Sequence, residues 1–178
     1  MKQVDRLLSN NKLKLEDTDK NIVAFIIGNR KDVKITMDWT DFDADSQATI
    51  CLNLVTSHGR ATPLLSKTVD KKKLKNNRNN YEDEILLRLK NAINQNIKVT
   101  ILADRGFFDI KLFEFLKELG FHFNIRVRNN TNITDAFNVT KKASEWVPKN
   151  GQTKTIRNAK VTSENYEVHL SRLNIKKG

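Results

Sequence analysis

Two aspartates each close an apolar, strand-like run. Asp38 ends Val33-Lys34-Ile35-Thr36-Met37-Asp38, ahead of Trp39-Thr40, and Asp104 ends Ile97-Lys98-Val99-Thr100-Ile101-Leu102-Ala103-Asp104, ahead of Arg105-Gly106-Phe107. A carboxylate at the end of a buried strand is costly to desolvate unless something positive sits against it. Two at adjacent strand ends suit a divalent cation, because Mg²⁺ accepts one or two carboxylates and leaves room for phosphate oxygens and water. In two-metal sites one ion activates the attacking oxygen and the other stabilises the leaving oxygen. The pattern points to metal-assisted phosphodiester chemistry. The competing reading has each aspartate capping a turn, Asp104 ahead of Arg105-Gly106 especially, and spacing leaves both readings open.

Strand periodicity decides whether the two can meet. Val33, Ile35 and Met37 alternate with Lys34, Thr36 and Asp38, which places Asp38 on the more polar face. Ala48, Ile50, Leu52 and Leu54 alternate in the same way, and Ser57-His58-Gly59-Arg60 leads into a third strand through Thr68. Three strands on short loops read as an antiparallel meander. Lys71-Lys72-Lys73-Leu74-Lys75 and Asn76 to Asn80 read as a basic, Asn-rich loop. The next helix is expected to carry Glu82, Asp83 and Glu84 in its first turn, where the dipole favours anions, and Ile85, Leu86, Leu89 and Ile93 on its apolar stripe.

A strand over 97–102, a helix from about Ile110 to Leu119 stopped by Gly120, and an alternating strand through Phe121, Phe123, Ile125 and Val127 follow. Strand, helix, strand without a hairpin is a βαβ unit, which requires parallel strands. If the 97–102 strand lies parallel beside 33–38, Asp38 and Asp104 fall on one edge, where open α/β sheets bind ligands. The stripe Leu112, Phe115, Leu116 and Leu119 reads as core. Residues 1–32 are mostly polar, with a short helix expected at Asp5 to Leu8 and an apolar run, Ile22 to Ile27, closed by Gly28-Asn29. Residues 129–178 read as β-rich pieces (Thr153 to Ile156, Lys160 to Thr162, Tyr166 to Leu173) too poor in apolar residues to form a core alone.

Composition narrows the class further. At 178 residues the chain can bury one ordinary core. Thirty-two Lys and Arg against 21 Asp and Glu give a net charge of +11, which favours a polyanionic partner through counterion release. No apolar run is long enough for a membrane span, and the first residues do not lead into a signal-peptide core. The single cysteine, Cys51, excludes an internal disulfide and a Cys-based zinc cage, so a cytoplasmic location is expected.

Other residues carry weaker signals. Asp41, Asp43 and Asp45 alternate like a calcium loop, but Ser46 and Leu52 stand where an EF-hand needs Gly and Glu; a solvated turn is expected. His58, His122 and His169 lack metal-ligand spacing. Lys71, Lys72 and Lys73 could contact phosphates or form a solvated loop. Arg105 could orient Asp104 or bind a phosphate, and Trp39 could stack on a base or simply pack.

Met37-Asp38-Trp39-Thr40 with Leu102-Ala103-Asp104-Arg105-Gly106-Phe107 resembles insertion-sequence DDE transposases of the family-four type. The resemblance extends to Gln3 to Asn10, Thr56 to Leu64, Tyr81-Glu82-Asp83-Glu84 and Phe123-Asn124-Ile125-Arg126. It implies a partial ribonuclease-H-like α/β fold: a mixed sheet with an antiparallel three-strand meander plus a βαβ unit, and the start of a β-rich insertion. The implied divisions are an upstream remainder (1–32), the first part of the catalytic core (33–128) and the insertion (129–178). Asp38 and Asp104 would be the first and second catalytic carboxylates, holding Mg²⁺ or Mn²⁺. Arg105, Lys71, Lys72, Lys73 and Trp39 would contact DNA.

The resemblance further implies double-stranded DNA partners (transposon ends and target), a homodimer on DNA, no membrane, and a cytoplasmic, nucleoid-associated location. Its third carboxylate lies in a Tyr-x₂-Arg-x₃-Glu-x₆-Lys pattern. Tyr81 is followed at those offsets by Glu84 and Arg88, and Tyr166 by His169 and Leu173; Glu145, Glu164 and Glu167 lie outside the pattern. An incomplete transposase, for metal-dependent DNA cleavage and strand transfer, is therefore expected. A non-catalytic DNA-binding remnant or regulator, and a free-standing nuclease recruiting another carboxylate, are the alternatives.

Overall fold

The computed structural model describes residues 15–57, 59–146, 154–162 and 165–172, in two units that divide after Ile125. The helix expected at Asp5 to Leu8, and His58, lie outside the described residues.

The first unit is built on a five-stranded mixed sheet. Its strands are β1 (Asp32–Phe42), β2 (Gln47–Val55), β3 (Ala61–Asp70), β4 (Lys98–Ala103) and β5 (His122–Ile125), in the spatial order β3-β2-β1-β4-β5. β1, β2 and β3 pair antiparallel as the expected meander, while β4 pairs parallel with both β1 and β5. Alternation builds the layers: Val33, Ile35, Met37, Ile50, Leu52, Leu54 and Ile101 form one continuous core with residues of the helices. Full burial of each such side chain contributes roughly 1.5–3 kcal/mol. The alternate positions, among them Lys34, Asp38, Cys51 and Asn53, remain exposed or half-exposed on the other face.

Among the described residues four helices accompany the sheet: α1 (Leu15–Ile27), α2 (Lys71–Leu74), α3 (Arg78–Ala92) and α4 (Ile110–Glu118). α1 is the element that the sequence did not announce. Its buried residues Asp19, Val23 and Ile27 recur every four positions, and the charge at the first obscures the stripe. Asp19 is buried because Arg88 of α3 grips both its oxygens, from Nε at 2.9 Å and Nη2 at 3.0 Å. Gly28 ends α1 at φ +58, a conformation that side chains disfavour.

The expected basic loop is also corrected. Lys71–Leu74 is helical because Asp70 accepts the backbone N–H of Lys72 at 2.8 Å, a side-chain cap for the new turn. α3 starts at Arg78, so Glu82, Asp83 and Glu84 lie beyond its first turn. The Asn-Arg stretch has no proline or glycine to stop a helix, and Arg78 and Glu82 both gain contacts with Trp39 of β1.

The second unit carries a four-stranded antiparallel sheet in the order β7-β6-β8-β9: β6 (Asn132–Thr134), β7 (Thr140–Lys142), β8 (Lys154–Val161) and β9 (Tyr166–Arg172). The two short pieces expected between Thr153 and Thr162 are one strand, continuous through a register shift between Ile156 and Ala159 at which Asn158 adopts φ +52. Its buried apolar residues are few: Ile133, Ala143, Ala159 and Val161 among those described. Among the described residues no helix is long and apolar enough to cross a membrane.

Candidate active site

The β1–β4 register runs from Asp32–Lys98 to Met37–Ala103, and the next residues along the two strands are Asp38 and Asp104. Parallel neighbours lie about 4.8 Å apart, so the two aspartates occupy one sheet edge. Met37 is core-facing, so period-2 alternation puts Asp38 on the open face, and Asp104 continues in extended conformation from β4. Both are exposed.

A short turn fixes Asp104. Its Oδ1 accepts the backbone N–H of Gly106 at 2.6 Å, and buried Phe107 anchors the 3₁₀ turn Arg105–Phe107 to the core. A Cβ at Gly106 would lie 2.9 Å from that oxygen, so the Asp-Arg-Gly spacing gives the carboxylate its place. The turn-capping and sheet-edge readings thus describe the same residue. The donor is Gly106, while Arg105 lies exposed within the turn.

Asp38 stands directly opposite Cys51 of β2. Burial pushes the Cys51 thiol up, and the Asp38 charge adds to the shift by disfavouring a second negative charge. Among the described residues no group of three or more His, Cys, Asp or Glu is arranged to hold a metal. Asp38 and Asp104 are thus two carboxylates at one sheet edge, and no third protein ligand joins them among the described residues.

Trp39 faces the opposite way from Asp38. Its indole N–H donates to Oε1 of Glu82 at 2.8 Å, and the Arg78 guanidinium lies 4.9 Å from its ring centre. Glu82 is only 7% exposed. Burial raises its pKa; the Trp39 hydrogen bond and Arg78 oppose that shift, while Asp83 and Asp109 add to it. Asp83 is likewise raised, first by burial and then by Asp109, whose carboxylate accepts from Asn79 at 3.0 Å. Sequence reasoning gave Arg78 no role and read Glu82 only as a dipole-compensating residue. Its clue was a carboxylate three residues ahead of Ile85 and four ahead of Leu86, on the same helix face as that apolar stripe.

The three lysines differ. Lys71 is tied to Asp43 and lies 3.5 Å from Asp41, so the acidic turn and α2 hold each other. Lys72 and Lys73 are exposed and make no ion pair among the described residues. Positive charge is also uneven along the chain. Residues 126–178 contain eleven Lys and Arg against four Asp and Glu, so seven of the eleven excess charges fall in the second unit.

A family model described as a transposase DDE domain matches residues 57–175, a span that contains Asp104 and begins after Asp38. The chain belongs to this family of DDE transposase domains. The family's activity is transposition, its partner is DNA, and divalent metals are typical of its chemistry. Neither the curated proteins nor the solved structures searched gave a match.

Proposed function

We infer that the chain provides the first part of a ribonuclease-H-like catalytic domain of an insertion-sequence DDE transposase of the family-four type, followed by the start of a β-rich insertion. The observation that carries this reading is the parallel β1–β4 register, which ends immediately before Asp38 and Asp104. The order β3-β2-β1-β4-β5, with an antiparallel meander and β4 parallel to both β1 and β5, supports it.

Asp38 and Asp104 hold Mg²⁺ or Mn²⁺ and supply no nucleophile themselves. The bound metal would activate the attacking oxygen and stabilise the leaving one in DNA strand cleavage and strand transfer. Asp104 is oriented for this by Gly106, and Asp38 by its place on the open face. Lys72, Lys73 and Arg105 give phosphate contacts, and the +7 balance of residues 126–178 adds salt-dependent attraction to DNA. Trp39 contributes by packing beside the site. The protein acts as a dimer on paired DNA ends, in the cytoplasm at the nucleoid.

Strand-cleavage and gel-shift assays test the assignment, with Asp38→Asn and Asp104→Asn placed in a polypeptide that also carries the family's third carboxylate. Each variant abolishes cleavage and leaves DNA affinity within about twofold, since each removes a single negative charge and none of the basic side chains. Cleavage retained in either variant would overturn the assignment.

A further inference from the structure

We propose that Glu82 is a positioning residue for Asp38, acting through the Trp39 indole and assisted by Arg78. The inference rests on the proposed role of Asp38 as a metal ligand.

The end of β1 needs support that the sheet does not give. From Ile35 to Met37 the strand is paired on both sides, with β2 and with β4. From Asp38 to Phe42 it is paired with β2 alone. Asp38 is therefore the first residue of a half-supported segment, where rotation about the strand axis would swing its carboxylate away from Asp104. Successive residues of a strand point to opposite faces. Fixing the Trp39 ring against α3 thus fixes the direction in which Asp38 leaves the backbone.

Glu82 supplies that hold. Its oxygen meets the indole N–H at 2.8 Å, and α3, which bears it, is anchored in the core by the fully buried Ile85, Leu86 and Leu89. Arg78 closes the other side of the indole at 4.9 Å. A cation in the first turn of a helix opposes the helix dipole, so its position is better accounted for by Trp39 and Glu82 than by α3 itself. A buried carboxylate is a poor choice for stability alone, since an apolar side chain would fill the same space without desolvating a charge. What a carboxylate adds here is an acceptor of fixed direction.

Amide hydrogen exchange on the chain, with Mn²⁺ affinity measured alongside, tests this. Trp39→Phe keeps the ring and removes the N–H donor; Glu82→Leu removes the acceptor; Glu82→Gln keeps an acceptor. Exchange over Asp38–Thr40 rises on the order of tenfold in W39F and E82L, as expected for loss of a hydrogen bond to a charged group. It stays near the unaltered rate in E82Q, with Val33–Ile35 and Ile101 unchanged in all three. Mn²⁺ affinity falls in the two variants that open and is retained in E82Q. Exchange within twofold of the unaltered chain at Asp38–Thr40, uniform acceleration of every strand, or opening without loss of Mn²⁺ affinity would each overturn the proposal. If the unaltered chain binds no Mn²⁺ through Asp38, the metal-ligand reading fails and the positioning role with it. Exchange then still reports whether the brace holds β1.

Discussion

Asp38 of β1 and Cys51 of β2 are register partners across the open face of the sheet, close enough for the carboxylate to disfavour the thiolate. Asp38→Asn removes that charge and lowers the Cys51 pKa, while burial, the larger cause, keeps it above the ordinary thiol value. The rate of thiol alkylation as a function of pH measures the shift. With one cysteine in the chain, no other thiol contributes. An unchanged profile would place the carboxylate away from Cys51.

Gly106→Ala separates placement of Asp104 from stability. The new methyl would meet Asp104 Oδ1 at 2.9 Å, and only the end of a short side chain has to yield. The cost is under about 1 kcal/mol, a shift in Tm of no more than roughly 4 °C for a chain of this size. Divalent-metal affinity falls on the order of tenfold, because the carboxylate turns from the edge that it shares with Asp38. Calorimetry and Mn²⁺ titration on the same sample check the two halves.

The parts of this fold legible in the sequence are those where polarity alternates cleanly. Val33-Ile35-Met37 and Ala48-Ile50-Leu52-Leu54 announced their strands, and the unbroken stripe from Leu112 to Leu119 announced α4. α1 stayed hidden because Asp19 occupies a buried position that only its pairing with Arg88, 69 residues away, explains. The same kind of long-range compensation hid the site's neighbours. Arg78 read as a loop residue and Glu82 as a first-turn helix residue until the sheet brings Trp39 to them. Asp38 and Asp104 stood out in the sequence because each closes an apolar strand, although Asp104 also has a local role in accepting the Gly106 N–H.

Glu82 gives the fold a pH dependence of defined sign. Its pKa in the folded protein is raised above the ordinary value of 4.5, first by burial. Stability from this group is fully present below the unfolded pKa and is lost as pH rises through the folded value. Glu82→Gln has no proton to lose. Its Tm relative to the unaltered chain therefore increases as pH rises through that window, and the difference levels off below the unfolded carboxylate value. Thermal unfolding from pH 4 to pH 8 measures it; a gap that narrows with rising pH would contradict the burial argument.

The Asp19–Arg88 pair ties α1 to α3. Arg88→Met leaves Asp19, 7% exposed, without its bidentate donor. Breaking one side of a buried pair costs about 3 kcal/mol, read as a lowered urea midpoint with unchanged slope. Asp19→Leu together with Arg88→Met restores much of the loss, because no charge is then left unpaired.

Mn²⁺ titration followed by water-proton relaxation tests the central claim, that Asp38 and Asp104 act together on one divalent ion. Saturable binding by the unaltered chain that weakens at least tenfold in both Asp38→Asn and Asp104→Asn is the predicted result. Equal affinity in all three proteins, or loss in only one variant, would show that the two carboxylates do not share a metal.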